Sequence, residues 1–248
     1  MKRTNNIPVW LMMSLFLMPL TQAAEMTRQQ VEALLAKADK QHPAPLRRKD
    51  LTDLDLSGLD FRQADLWGAD LRRANLNNAN LENLNLDLTV MTNIKLSGAN
   101  LANTSIFGVS LMHADLSHAN LSGSRVVAVM EGANFSYANI SNADWAADMK
   151  NQSMGLMRAN LKGANLTGAN LSNTKLGRAM LKHAKLNDAN LQNADLFSAE
   201  MDGANLTGAD LSNANLSSAK LHDAIFTDAK TTGARFEGAQ HIPAGIGQ

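Results

Sequence analysis

The sequence predicts a solenoid of small repeated layers, and three observations predict it. From Leu156 through Leu161 and Leu166 to Leu221 and Phe226, every fifth residue is apolar. A period of five is neither the two of a strand nor the 3.6 of a helix, so it marks an internal repeat. Ala stands two residues before thirteen of these fifteen centres, Met154 and Thr174 being the exceptions, and Asn or Asp usually fills the position between. Finally, aromatic residues are only 4% of a chain that is 45% hydrophobic. A globular core of this size would hold more large rings, whereas many thin layers need few.

The first element is a leader. Lys2 and Arg3 form a short basic region, Ile7 to Leu20 is almost wholly apolar, and Thr21-Gln22-Ala23-Ala24 offers small residues for cleavage. An apolar run of this length, interrupted by Pro8 and Pro19, is too short to span a bilayer well. Residues 1–24 therefore read as a cleaved secretory signal. The mature chain is expected in the periplasm of a two-membrane bacterium, with no membrane anchor after cleavage. Loss of Lys2 and Arg3 leaves 21 basic against 23 acidic residues, a balance that supplies no bulk drive toward nucleic acid or anionic lipid. Cys is absent, which excludes disulfides, thiolate metal sites and Cys nucleophiles.

Residues 25–45 predict a capping helix and a linker. Thr27-Arg28-Gln29-Gln30 has the form of a capping box. Val31, Leu34, Leu35 and Ala38 follow at helical spacing, and the helix should end before Pro43 and Pro45. Its apolar face needs something to cover, and the first coil of the repeat is the candidate, because a bare solenoid end is an unpaired edge.

Residues 46–240 carry the repeat. Sixteen apolar centres run from Leu51 to Val126 without a slip, although Leu54, Leu59, Leu84, Ile94 and Val109 replace Ala at the small position. The register then breaks. Phe135, Ile140 and Trp145 come one residue early, and Leu156 restores the phase, so one residue is read as lost and one as regained within an irregular stretch at 122–155. Residues 241–248 read as a short tail.

Tandem A-[DN]-L-x-x over some thirty units resembles the pentapeptide-repeat family. The resemblance implies an all-β solenoid, a right-handed quadrilateral (four-sided) β-helix with twenty residues per coil, here with a short N-terminal capping α-helix. It also implies that each centre and the residue two before it point inward while the other three point out. Asn and Asp before each centre tolerate turn geometry and bond locally to backbone amides. At about 4.8 Å per coil, just over nine coils would give a rod on the order of 45 Å long.

Twenty-residue spacing stacks residues in columns. The column Lys175, Asp195, Asn215, Arg235 alternates in sign, and Asn80, Asn100, Asn120 is neutral. The best-known members of the resembling family protect DNA gyrase by mimicking the charge and shape of duplex DNA, and they are acidic and cytoplasmic. The leader and the near-neutral surface depart from that pattern, which makes gyrase protection the alternative reading. His42, His113, His118, His183, His222 and His241 are expected at the surface, only His113 and His118 being near each other. A convex prism offers no pocket to exclude water, so no enzyme activity, catalytic residue or cofactor is expected. Met130, Met149, Met154 and Met157 cluster in the irregular stretch. Thioethers are soft ligands, so copper(I) binding is a second alternative beside gap-filling.

The candidate partner surface is aromatic. The column Trp67, Asp87, Phe107, Val127 places apolar groups outside, and Tyr137 and Trp145 lie in the irregular stretch. Exposed rings are favoured interface anchors. An indole is bulky for a cavity built for Leu, so at Trp145 either the coil widens or the ring turns outward. The sequence thus points to an exported, non-enzymatic protein-binding or spacer module whose partner is another protein.

Overall fold

The structure, a computed structural model, describes residues 26–149 and 157–246. The leader, Met154 and Leu156 lie outside the described residues. Helix α1, Arg28–Leu35, opens with the expected capping box. The Gln30 amide donates to Thr27 Oγ1 at 3.3 Å and the Thr27 amide to Gln30 Oε1 at 2.7 Å. Val31 is buried, and Leu34, Leu35 and Ala38 pack on the same core. The Arg28 guanidinium donates to the carbonyls of Asp55 and Ser57 at 3.0 and 3.2 Å, which fastens the helix to the first coil.

Beyond the helix the chain is a parallel β-solenoid. Residues twenty apart pair side by side, as in Asn75 with Lys95 and Asn80 with Asn100. Two short parallel pairs stand out: β1 (Ala44–Pro45) with β2 (Ala64–Asp65), and β3 (Ser105–Ser110) with β4 (Arg125–Val129). Elsewhere pairing shrinks to single bridges, because each pentapeptide extends for one or two residues and then turns. The carbonyl of each centre accepts from the amide three residues on, as Leu71 does from Ala74 at 3.1 Å. Two residues after the centre φ is near +60°, for example 57° at Arg73 and 58° at Asn78. Such a turn suits Asn, Asp and Gly; Leu88, at 60°, is an apolar exception. Between coils the centre amide donates onward and the preceding amide donates back, as Leu76 to Lys95 O at 2.7 Å and Asn75 to Leu54 O at 2.8 Å.

The interior follows the residue pattern. Leu centres and the Ala residues two before them are buried through the regular coils. Thr89 and Thr104 stand where Ala would, each hydroxyl donating to a centre carbonyl at 2.6 and 2.8 Å, so neither burial leaves a polar group unpaired. The Asn before each centre has two tasks. Asn100 Oδ1 accepts from the Ala102 amide at 3.2 Å, while Nδ2 donates to Asn80 Oδ1 at 3.2 Å. The ladder continues through Asn120, Asn139 and Asn170 with rungs of 3.1 to 3.3 Å. An amide both donates and accepts, whereas a carboxylate only accepts. Asp55, Asp115 and Asp195 accordingly receive a rung, from Asn75, Asn134 and Asn215.

The break in register is larger than the phase implied. Ser110 pairs with Val129, nineteen residues on, and Val129 with Asn160, thirty-one on, before twenty resumes at Met180. The link from Val126 to Met130 is thus one residue short, and the next coil carries eleven additional residues, 148–158, between Ala147 and Ala159. The expectation of one residue lost and one regained is corrected to one lost and eleven gained. A periodic pattern reports phase only modulo five. Both changes fall at the same place in successive coils, since Val126 stacks on Trp145 and Met130 on Leu161: the amide of Val126 donates to Asp144 O and that of Met130 to Asn160 O.

Candidate functional site

The paired change of length builds the most distinctive surface of the rod. With one residue fewer, the link through β4 has no left-handed turn and runs extended, so Val126, Val127 and Ala128 are all buried. In the coil directly beneath it the insertion of eleven additional residues intervenes between Ala147 and Ala159. Its stem closes where Asp148 bridges Met157 in antiparallel fashion, the Asp148 amide donating to Met157 O at 2.8 Å.

Two arginines pin the ends of the insertion. On the entering side Arg125 Nη1 donates to the carbonyls of Asp144 and Ala146 at 3.0 and 3.1 Å. On the returning side Arg158 Nη1 donates to Glu200 Oε1 at 3.2 Å and to Arg178 O at 3.4 Å, reaching across two coils. Lys182 and Lys220 also approach Glu200, at 3.5 and 3.6 Å. Partial burial alone would raise the Glu200 pKa, but the charges of Arg158, Lys220 and Lys182 with the Arg158 hydrogen bond outweigh it and hold the carboxyl below its ordinary value.

A cleft lies on each side of the stem. One, of about 590 Å³, is floored by Val109, Val127 and Ala128 and walled by Val129, Met157 and Met180. The other, of about 620 Å³, holds Phe107 and Met149 among Asp87, Arg125, Asp144 and Lys175. Phe107 is held in place by its amide, which donates to Asp87 Oδ1 at 2.9 Å; the Ser105 hydroxyl donates to the same oxygen at 2.7 Å.

Of the residues proposed from sequence as a partner surface, the structure places only Phe107 beside this site with its ring partly open. Trp145 is a correction: its ring points inward and is fully buried. Its Nε1 donates to Ser124 Oγ at 3.1 Å, and the ring meets Phe135 edge-on at 5.5 Å. Ser124 occupies a small position where Ala is usual, so the coil above supplies the partner that a buried indole needs. Val127 is the second correction, buried in the floor of the first cleft. Trp67 lies on the earlier coils, with the guanidinium carbons of Arg47 and Arg48 at 4.7 and 5.0 Å from its ring centroid. Tyr137 is 61% exposed. It stacks on His118 at 5.3 Å, and its other flank lies against Gly168, where an added Cβ would sit 2.6 Å from the ring.

Among the described residues the methionines do not gather. Met130 is a buried centre, Met149 and Met157 line different clefts, and Met154 lies outside the described residues. His118 pairs with Tyr137 rather than His113, while His222 and His241 approach to 5.0 Å between centroids. That second contact falls off the repeat's spacings of five and twenty, the two residues being nineteen apart. Among the described residues no three of His, Cys, Asp or Glu converge on a point that would hold a metal ion. The two pinning arginines also escaped sequence reasoning, their partners being carbonyls and a carboxylate 19 to 42 residues away.

A family model described as pentapeptide repeats matches in overlapping blocks over residues 55–123 and 156–238. The chain belongs to the pentapeptide-repeat family. The matched blocks leave out 124–155, the segment that contains the short link and most of the insertion. HetL, a pentapeptide repeat protein involved in heterocyst differentiation regulation from the cyanobacterium Nostoc sp. strain PCC 7120, is 30% identical. The match covers 86% of this chain and 94% of HetL with a TM-score of 0.54. QnrB1, a plasmid-mediated fluoroquinolone resistance protein, is 18% identical over 76% of this chain and 92% of its own, with a TM-score of 0.46. A search of curated proteins finds no match.

Proposed function

We propose that this pentapeptide-repeat protein is exported to the periplasm and acts there without catalysis, as a protein-binding module mounted on a rigid spacer. Its solenoid is taken as right-handed and four-sided, with α1 as the N-terminal cap. The observation that carries the reading is the insertion at 148–158, pinned at both ends by Arg125 and Arg158 and flanked by two clefts. In the regular coils the Asn and Asp before the centres are engaged in turns and rungs, which leaves them little to offer a partner. The basic, apolar and small-residue regions of the leader support export.

The rival is the gyrase-protecting DNA mimic. Arg73 pairs with Asp53, Arg72 with Asp70, and three cations surround Glu200, so acidic groups on these faces are neutralised locally, which favours the protein-binding reading. Cell fractionation separates the two. Periplasmic protein beginning near Ala24 or Glu25 supports the proposal, and full-length cytosolic protein overturns it. Deleting residues 148–158 restores a five-residue spacing between Trp145 and Leu161. The variant should fold and stack normally yet lose partner capture in a periplasmic pull-down; capture equal to the parent's would remove the insertion from the account.

A further inference from the structure

The C-terminal end of the rod carries a pair of metal-ligating side chains that play no part in the site above. His222 follows the centre Leu221, and His241 follows Gln240, the last residue to pair with the coil above it. Both backbones are fixed close to these side chains. The Gly203 amide donates to His222 O at 2.7 Å, and the Leu221 amide donates to Gln240 O at 3.0 Å. The two rings stand 5.0 Å apart between centroids at an interplanar angle of 84°, and the His222 side chain is well exposed.

We propose that His222 and His241 form a two-imidazole site for a divalent late transition-metal ion, Cu²⁺ or Zn²⁺, that ties the last coil to the tail. The spacing fits. With a metal–nitrogen bond of about 2.0–2.1 Å and about 1.1 Å from nitrogen to ring centre, each centroid lies about 3.2 Å from the ion. Two such rings are then about 4.5 Å apart at a right angle and about 5.2 Å apart at a tetrahedral one, which brackets the observed separation. The second shell fits too: His222 Nδ1 lies 3.0 Å from Asp223 Oδ2. A carboxylate on one ring nitrogen fixes the tautomer, orients the ring and leaves Nε2 as the ligand atom. No third His, Cys, Asp or Glu converges there among the described residues, so water completes the coordination shell in this proposal. Imidazole suits both ions, and the ordering of affinities along the first transition row places Cu²⁺ above Zn²⁺.

The test uses untagged mature protein titrated calorimetrically with Cu²⁺ and, separately, with Zn²⁺. The expected result is saturable uptake of one equivalent, tighter for Cu²⁺, with an electron paramagnetic resonance spectrum of the Cu²⁺ form showing two coordinated nitrogens. His222→Gln and His241→Gln should each weaken uptake more than tenfold, Asp223→Asn by a smaller factor, and His183→Gln not at all. Both His variants remove exposed side chains, and unfolding midpoints equal to the parent's without metal verify that they are folded. Absence of saturable uptake, or uptake unchanged in both His variants, overturns the assignment. Neither result bears on the insertion, which lies several coils away.

Discussion

Ser124→Ala is a severe test of how the irregular coil is packed, because two accounts of Ser124 predict opposite signs. Ala is the usual residue at this position of the repeat, and Ser124 is fully buried. If Ser124 merely replaces Ala, the substitution removes a buried hydroxyl and leaves stability unchanged or raises it. If Ser124 is present to accept from Trp145 Nε1 at 3.1 Å, Ala leaves an indole N–H buried without a partner, which costs about 1–3 kcal/mol. Urea unfolding followed by tryptophan fluorescence should therefore show a lower midpoint at an unchanged slope. A repeat array can unfold in stages, so the comparison is repeated with Trp145→Phe, which keeps an aromatic ring but removes the donor. In that background Ser124→Ala should be close to neutral, and the cycle should return a coupling of about 1–3 kcal/mol. A neutral Ser124→Ala in the parent, or the same loss in both backgrounds, would refute the reasoning.

Three further substitutions probe the surface. Gly168→Ala places a methyl group 2.6 Å from the Tyr137 ring at a φ of +64°. It should destabilise by about 1–2 kcal/mol, with part of the loss recovered in Tyr137→Ala, as thermal unfolding of the double variant will show. Leu88→Asn relieves an apolar residue held at φ +60° and should stabilise by about 0.5–1 kcal/mol; a lower unfolding midpoint would mean that its packing over Gly108 matters more than its backbone. Glu200→Gln should cost about 1 kcal/mol near neutral pH, less in high salt. The carboxyl is held below its ordinary value of 4.5 in the folded protein, so its contribution is complete above that value and is lost as the pH falls through the lower folded one. Stability curves of parent and variant should thus converge in acid, and a constant gap down to low pH would contradict this.

Much of the rod was legible because each layer repeats the same physical problem. A narrow interior selects Leu and Ala, a left-handed turn selects Gly, Asn and Asp, and a rung that must both give and receive selects Asn. The irregular coil was less legible for definite reasons. Leu156 and Met154 fit the fivefold phase by arithmetic; among the described residues the centre before Leu161 is Trp145, and a pattern of period five is blind to two whole added units. The orientation of Trp145 was undecidable from its own segment, since the accepting oxygen lies 21 residues back. The one available signal was Ser124 standing at a small position next to an oversized centre. Val127 still pairs with Phe107 at the spacing of twenty, but its shortened link runs extended without the left-handed turn that would face it outward, so it is buried.

The most direct test of the central claim, that binding resides at the inserted coil and the regular coils are its mount, is site-specific photocrosslinking in living cells. A photoreactive amino acid replaces Phe107 or Met149, both lining the cleft beside the insertion, or Gln192, on the exposed surface of a regular coil. The account predicts a discrete periplasmic adduct from positions 107 and 149, none from 192, and loss of the adduct when residues 148–158 are deleted. Adducts of equal yield from all three positions, or from 192 alone, would contradict it.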